Sequence, residues 1–229
     1  MIKIFLFFLK KRNHLQGVFV IFALQTIQRD VMEKIIKIFR KNKGYAKMQN
    51  LRIAGIQTRD IAKAVKEKII EKIKPGLYKL IDYPWDEHSS FTDVCKANPK
   101  AVICLLSAAD YHQLTTFNPS EVYVAVPNNT DKFIMNYPPI KVYYFIEKYF
   151  ELGIQTIETN SGEIRIYNKE KTISDLFRYI NKIGEDIAIE SLKEYLKDHK
   201  TRDIPKLLHY SEVCKVRNKI EPMIKAILS

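Results

Sequence analysis

Arg59, Lys63 and Lys66 fall at i, i+4 and i+7, the spacing that places three cations on one face of a helix. Gln57 and Thr58 stand immediately before them. Guanidinium and ammonium groups in that array suit phosphate oxygens, and Gln, Thr and Arg can also address base edges. Three more lysines, Lys72, Lys74 and Lys79, flank a Pro75-Gly76 turn a few residues later. A cationic helix face is more often simply solvated than bound to a ligand. What raises this one above that expectation is where the charge lies. Residues 31–80 hold fourteen Lys/Arg against four acids, a net +10. Residues 1–30 carry a net +4, and residues 81–229 a net −2. A basic block of domain size beside a neutral remainder points to a polyanion-binding module joined to something else.

The elements that must position those cations follow from periodicity and punctuation. Apolar residues at 31, 35, 36, 38 and 39 predict an amphipathic helix that stops at Gly44. A short helix over about residues 47–54 follows, with Met48 and Leu51 inward, Gly55 as a break and Ile56 as a plug. Thr58 is expected to cap a third helix running to about Lys68, with Ile61, Val65 and Ile69 toward the core. Residues 69–73 and 77–81 read as a hairpin around Pro75-Gly76. Helix-turn-helix followed by a hairpin is the order of a winged helix, expected over residues 31–83.

The acidic, proline-containing stretch 84–90, which includes the single Trp85, is expected to be a linker. Beyond it, residues 91–229 read as a mixed α/β domain, so the whole chain is expected to be α+β. Ser90 or Thr92 is expected to cap a short helix to Ala97, and residues 100–114 to form one apolar helix. Strands are expected at 121–127 and 140–146, and a hairpin over 154–158 and 163–167 around Asn160-Ser161-Gly162. Helices are expected over 172–180, 185–197, 204–216 and 219–228.

Composition excludes several classes. Hydrophobic residues make up 46% and charged residues 28%, with 7 Gly and 9 Pro, a globular profile. Three separated cysteines, Cys95, Cys104 and Cys214, with no CxxC, argue against a disulfide scaffold and a structural zinc site and suit a reducing cytoplasm. No phosphate-binding Gly-rich loop, HExxH or GxSxG is present. On a single helix Cys104 and His112 would stand about 12 Å apart, too far for a thiolate–imidazole pair. No catalysis, metal or cofactor is expected. Residues 1–30 hold two apolar runs split by Lys10-Lys11-Arg12, each too short to span a bilayer. They are read as an upstream extension ahead of a start at Met32, with a signal peptide or an interfacial helix as alternatives.

The second domain carries three short patterns in order: Ile103-Cys104-Leu105-Leu106-Ser107-Ala108 with His112-Gln113-Leu114-Thr115; Glu170-Lys171-Thr172 with Asp175; and Asp186, Ala188, Glu190 and Leu192. Together with Gly44-Tyr45, Gly55-Ile56 and Pro75-Gly76-Leu77-Tyr78, they resemble the AbiEi-type antitoxins of bacterial type IV (abortive infection) toxin–antitoxin systems, over about residues 32–229. That resemblance implies a repressor that binds inverted repeats upstream of its own operon and counteracts a nucleotidyltransferase-like toxin. It places Arg59, Lys63 and Lys66 in the major groove and the wing lysines on phosphate. The turn Lys74-Pro75-Gly76 departs from the basic-Gly pair of the family's wing. Ser107, His112, Glu170, Lys171, Thr172 and Asp175 become candidate antitoxin-domain residues. Thr172 and Asp175 read equally as a capping-box-like helix start. The alternative function is a non-catalytic adaptor whose basic module docks an acidic protein or RNA.

Overall fold

The computed structural model describes residue 26 and residues 28–229. The leader expected over residues 1–30 lies almost wholly outside them. Among the described residues the chain is mixed α+β, with eleven helices and eight strands in two sheets, and no helix is long and apolar enough to cross a membrane. It divides into two compact units at Tyr83/Pro84.

The first unit runs α1 (28–41), β1 (Tyr45–Lys47), α2 (Met48–Ile53), α3 (Thr58–Lys66), β2 (Ile70–Lys74) and β3 (Leu77–Leu80). Its three strands pair antiparallel in the order β1-β3-β2. Ile35, Phe39, Leu51, Ile61, Ala64, Ile70 and Leu80 fill one core. Burying each of the larger ones contributes about 1.5–3 kcal/mol. At the end of α1 the Gly44 N–H donates to the Phe39 carbonyl at 2.8 Å, with Gly44 at φ +83°, so the expected stop is in place.

Three expectations for this unit are corrected. Thr58 is the first residue of α3 rather than its cap; Gln57 holds the cap position without a side-chain bond. Val65 is exposed, and Ala64 takes the interior place beside Ile61, so the buried stripe follows i, i+3 rather than i, i+4. The strand β1 was not expected. Its three residues show no alternation, and it exists because β3 offers it an open edge.

The second unit carries a five-stranded sheet in the order β6-β5-β4-β8-β7, built from β4 (Val102–Ile103), β5 (Val122–Pro127), β6 (Ile140–Phe145), β7 (Ile154–Thr159) and β8 (Gly162–Tyr167). Within it β4 runs parallel to β8 and β5 parallel to β6, while β4–β5 and β7–β8 are antiparallel. The helices are α4 (Ser89–Ala97), α5 (Leu105–Tyr111), α6 (Glu147–Phe150), α7 (Lys169–Arg178), α8 (Ile180–Ile183), α9 (Glu185–Lys197), α10 (Ile204–Val213) and α11 (Arg217–Leu228).

The single helix expected over 100–114 is instead strand β4, a bend and the short α5. Val102-Ile103 is β-branched and enters the sheet between β5 and β8; Leu105 then turns the chain at φ +47°. Likewise α4 starts after His88, and Thr92 lies buried inside it rather than capping it.

Helix α7 is the hub, packed by α5, α8, α9, α10 and α11. Its residues 170–177 are buried without a break. It begins at Lys169, three residues before the expected start, because Asn168 is the N-cap and its side chain accepts from the Lys171 N–H at 3.0 Å. Thr172 is therefore an interior helix residue, and the capping-box reading with Asp175 is withdrawn. Gly153 makes room for this start: it sits at φ +74°, and a Cβ there would fall 2.7 Å from Lys171 Cβ.

Candidate nucleic-acid interface

The face of α3 opposite Ile61 and Ala64 carries Arg59, Ala62, Lys63 and Lys66. The Arg59 side chain is 79% exposed. Between the cations Ala62 presents only a methyl, which lets a flat surface come close to the helix backbone. Two acids moderate the field. Asp60 lies 3.8 Å from Arg59, and Glu67 lies 3.5 Å from Lys63. Both pairs sit at the surface, where such contacts stabilise by under about 1 kcal/mol, so phosphate can compete for either cation.

Two cations that the sequence reading missed join this face. Arg52, from the last turn of α2, donates to the Thr58 hydroxyl at 3.2 Å, which brings a guanidinium to the first turn of α3. Lys34, from α1, reaches the turn between α2 and α3, where a Cβ added at Gly55 would sit 3.9 Å from its Nζ. Lys34, Gln57, Arg59, Asp60 and Lys63 line a groove of about 670 Å³ beside the start of α3. Gln57 and Thr58 are exposed at its mouth. The unpaired amides of the helix start add positive potential there. The signal for Lys34 was the phase of α1: it lies one residue from buried Ile35 and so projects toward the α2–α3 turn.

The hairpin divides its lysines. Lys72 is exposed and Lys74 half-buried. Lys79 is only 8% exposed, and its Nζ lies 3.1 Å from Glu71 across the β2–β3 ladder. Lys79 is therefore removed from the phosphate-facing set; its work is within the sheet. A two-residue turn joins the strands, and the Gly76 carbonyl accepts from the Met48 N–H at 2.8 Å, so the hairpin tip is tied to the start of α2.

In the second unit the motif residues are brought together, but as interior partners. Ser107 is buried and accepts from the Tyr123 N–H at 2.9 Å. The His112 Nε2 lies 2.7 Å from the Tyr167 carbonyl. Thr115 and Thr116 hold Glu190 through hydroxyl and amide donors at 2.8–3.0 Å, which keeps its carboxyl below the usual range. Glu170 accepts from the Tyr195 hydroxyl at 2.9 Å and lies 3.2 Å from Lys206. Lys171 and Asp175 form a fully buried ion pair, and the Lys171 ammonium also stands over the rings of Tyr167 (4.3 Å) and Phe145 (5.0 Å). Burial pushes the Asp175 carboxyl up, while Lys171 pulls it down. Buried beside this pair, the Cys104 thiol is held well above its usual range by desolvation and the Asp175 charge. Glu170, Lys171, Thr172 and Asp175 are thus interior, which excludes them as an antitoxin contact surface. Among the described residues no group of His, Cys, Asp and Glu could hold a metal ion.

His112 gives this network a pH signature. Burial lowers its imidazole below the usual 6.5, although the Tyr167 carbonyl works against the shift. The unfolded chain therefore takes up this proton more readily than the folded one. The stability contributed by neutral His112 is complete above about pH 6.5 and declines as the pH falls from there toward the lower folded value. Urea midpoints measured across that range should fall with acidity, and His112→Gln should flatten part of the fall. An unchanged slope in the variant would assign the acid sensitivity to other groups.

Comparison of the chain with protein-family models and with curated proteins gives no match.

Proposed function

We propose that the first unit is a winged helix that binds duplex DNA, and that the chain is an autorepressor and antitoxin of the type IV kind. The observation that carries the DNA reading is the α3 face. Arg59, Lys63 and Lys66 lie opposite Ile61 and Ala64, and Arg52 and Lys34 add charge at the helix start. The order helix, strand, helix, helix, hairpin, with β3 central among the three strands, supports the winged-helix assignment.

In this reading α3 enters the major groove. Gln57, Thr58 and Arg59 at its first turn meet base edges, Lys63 and Lys66 meet phosphate or bases, and Lys72 and Lys74 meet the flanking backbone. Repression is steric: the bound protein occupies the promoter. No catalytic step and no cofactor enter this account. The antitoxin part rests on the resemblance of the three ordered patterns in the second unit. Their residues interlock within one core, which favours a shared fold over a shared contact surface. The functional counterpart is then a nucleotidyltransferase-like toxin, opposed through repression and through the second domain.

A reporter fused to the DNA upstream of the chain's own gene tests the repressor. Supplying the protein in trans should lower reporter output, and the variant with Glu at 59 and 63 should restore it. Equal output with and without the protein would overturn the repressor reading.

The hairpin supplies a finer test. Lys72→Ala should weaken DNA binding about equally on all sequences and reduce the slope of log affinity against log salt by about one. Lys79→Ala should leave that slope unchanged and instead lower the melting temperature, since it unpairs Glu71. A loss of slope with Lys79→Ala would contradict the assignment of that side chain to the sheet.

A further inference from the structure

β6 is an outer strand of the five-stranded sheet, with β5 on its inner side. The two run parallel, so successive β6 residues direct their backbone groups alternately toward β5 and away from it. The Val122 N–H donates to the Pro139 carbonyl and the Asn128 N–H to the Phe145 carbonyl, each at 2.8 Å. Odd-numbered residues of this strand therefore face β5, and Ile140, Val142 and Tyr144 direct their N–H and C=O groups outward. Among the described residues no strand pairs with that outer edge.

Outer strands are ordinarily guarded by lysines, prolines or bulges. The three residues with outward backbone groups here are Ile, Val and Tyr, and Lys141 is the strand's single charge. Around them Tyr144 is 44%, Ile146 46%, Ile134 63% and Tyr137 63% exposed. A short apolar strand with its hydrogen bonds unspent is a template for another strand.

We propose that β6 pairs antiparallel with β6 of a second copy of this chain, about a two-fold axis at Val142. What selects a second copy is that the register closes on itself. With Val142 opposite its own equivalent, Ile140 falls opposite Tyr144 of the other copy, and Tyr144 opposite Ile140. All three pairs then join residues whose backbone groups point outward, so each exchanges two hydrogen bonds, about six in total. The register keeps the two faces of the sheet aligned across the join, because paired residues share parity. Lys141 falls opposite Tyr143 of the other copy, so no like charges oppose. β-branched and aromatic residues across a strand pair are favourable partners. The exposed Ile134, Tyr137 and Ile146 extend the contact beyond the strands toward the area that a stable dimer needs. This inference is independent of the DNA reading.

Sedimentation and light scattering of the full chain, across micromolar concentrations and without DNA, test it. The wild type should be a dimer. Ile140→Glu and Tyr144→Lys should each weaken self-association by about tenfold or more, since each puts a charge into an apolar pair twice per dimer. Mixing the two variants should restore a dimer, because Glu at 140 of one copy then faces Lys at 144 of the other. Circular dichroism of each variant confirms that it has kept the fold. A monomeric wild type would overturn the proposal. So would a dimer indifferent to both substitutions, or a β6 edge protected from hydrogen exchange only when a different protein is added.

Discussion

Changing Arg59 and Lys63 together to glutamate should abolish selective binding to the DNA upstream of the gene while leaving the fold intact. The magnitude follows from what is removed and what is added. Two cations leave the most exposed face of α3, and two anions replace them against a polyanion. A good base contact contributes about 1–3 kcal/mol, and each phosphate contact adds to a steep salt dependence. A loss of a hundredfold or more is the order to expect at physiological salt. Folding should barely register the change. Glu at 59 lies in the first turn of α3, where a negative charge is favourable. Glu at 63 faces Glu67 one turn on, a repulsion of a few tenths of a kcal/mol. These nearly offset. Binding titrations and thermal melts of the same preparation separate the two effects; retained affinity would show that α3 is not the recognition helix.

Removing the carboxylate of Asp175 should be the most damaging single substitution in the second unit. Asp175 and Lys171 are both fully buried, one helical turn apart in α7, with aromatic rings rather than water around the ammonium. Asp175→Ala leaves that ammonium without a counter-ion in the core, a loss of about 3–5 kcal/mol for a buried pair. Lys171→Met should cost less. The carboxyl left behind, already pushed up by burial, can take a proton instead of staying charged. The double variant Lys171→Met with Asp175→Leu should recover much of the loss, since an apolar pair removes both desolvation penalties. Urea denaturation of the three variants checks the ranking. If Asp175→Ala costs under about 1 kcal/mol, the pair is not the buried contact described.

The two hairpins and the long α9 were legible because their signals are local. Pro75-Gly76 and Asn160-Ser161-Gly162 mark turns between strand-like runs, and α9 matches its expected span of 185–197. The failures share a cause: tertiary context decided what local pattern left open. Ala101-Val102-Ile103 is apolar enough for helix or strand, and the vacancy between β5 and β8 settled it. Strand β1 is visible only once β3 is placed. Thr58 and Thr172 both looked like caps, yet the residues that hold those positions, Gln57 and Asn168, come one and four residues earlier.

Of the candidate site, the α3 cations were legible from spacing alone. Lys34 and Arg52 were not, because their part depends on how three helices meet. Lys79 shows the converse: its charge suggested phosphate, and its position in β3 gave it to Glu71. The polar residues of α7 looked like a surface motif because sequence cannot show that a helix is covered on every side.

The most direct test of the central claim is a binding titration of the full chain on the DNA upstream of its gene, against scrambled DNA of the same composition, across a series of salt concentrations. Tighter binding to the upstream DNA, with affinity falling steeply as salt rises, is the predicted result. Equal affinity for both DNAs, or none for either, would contradict the account and favour a basic module that docks a protein or RNA.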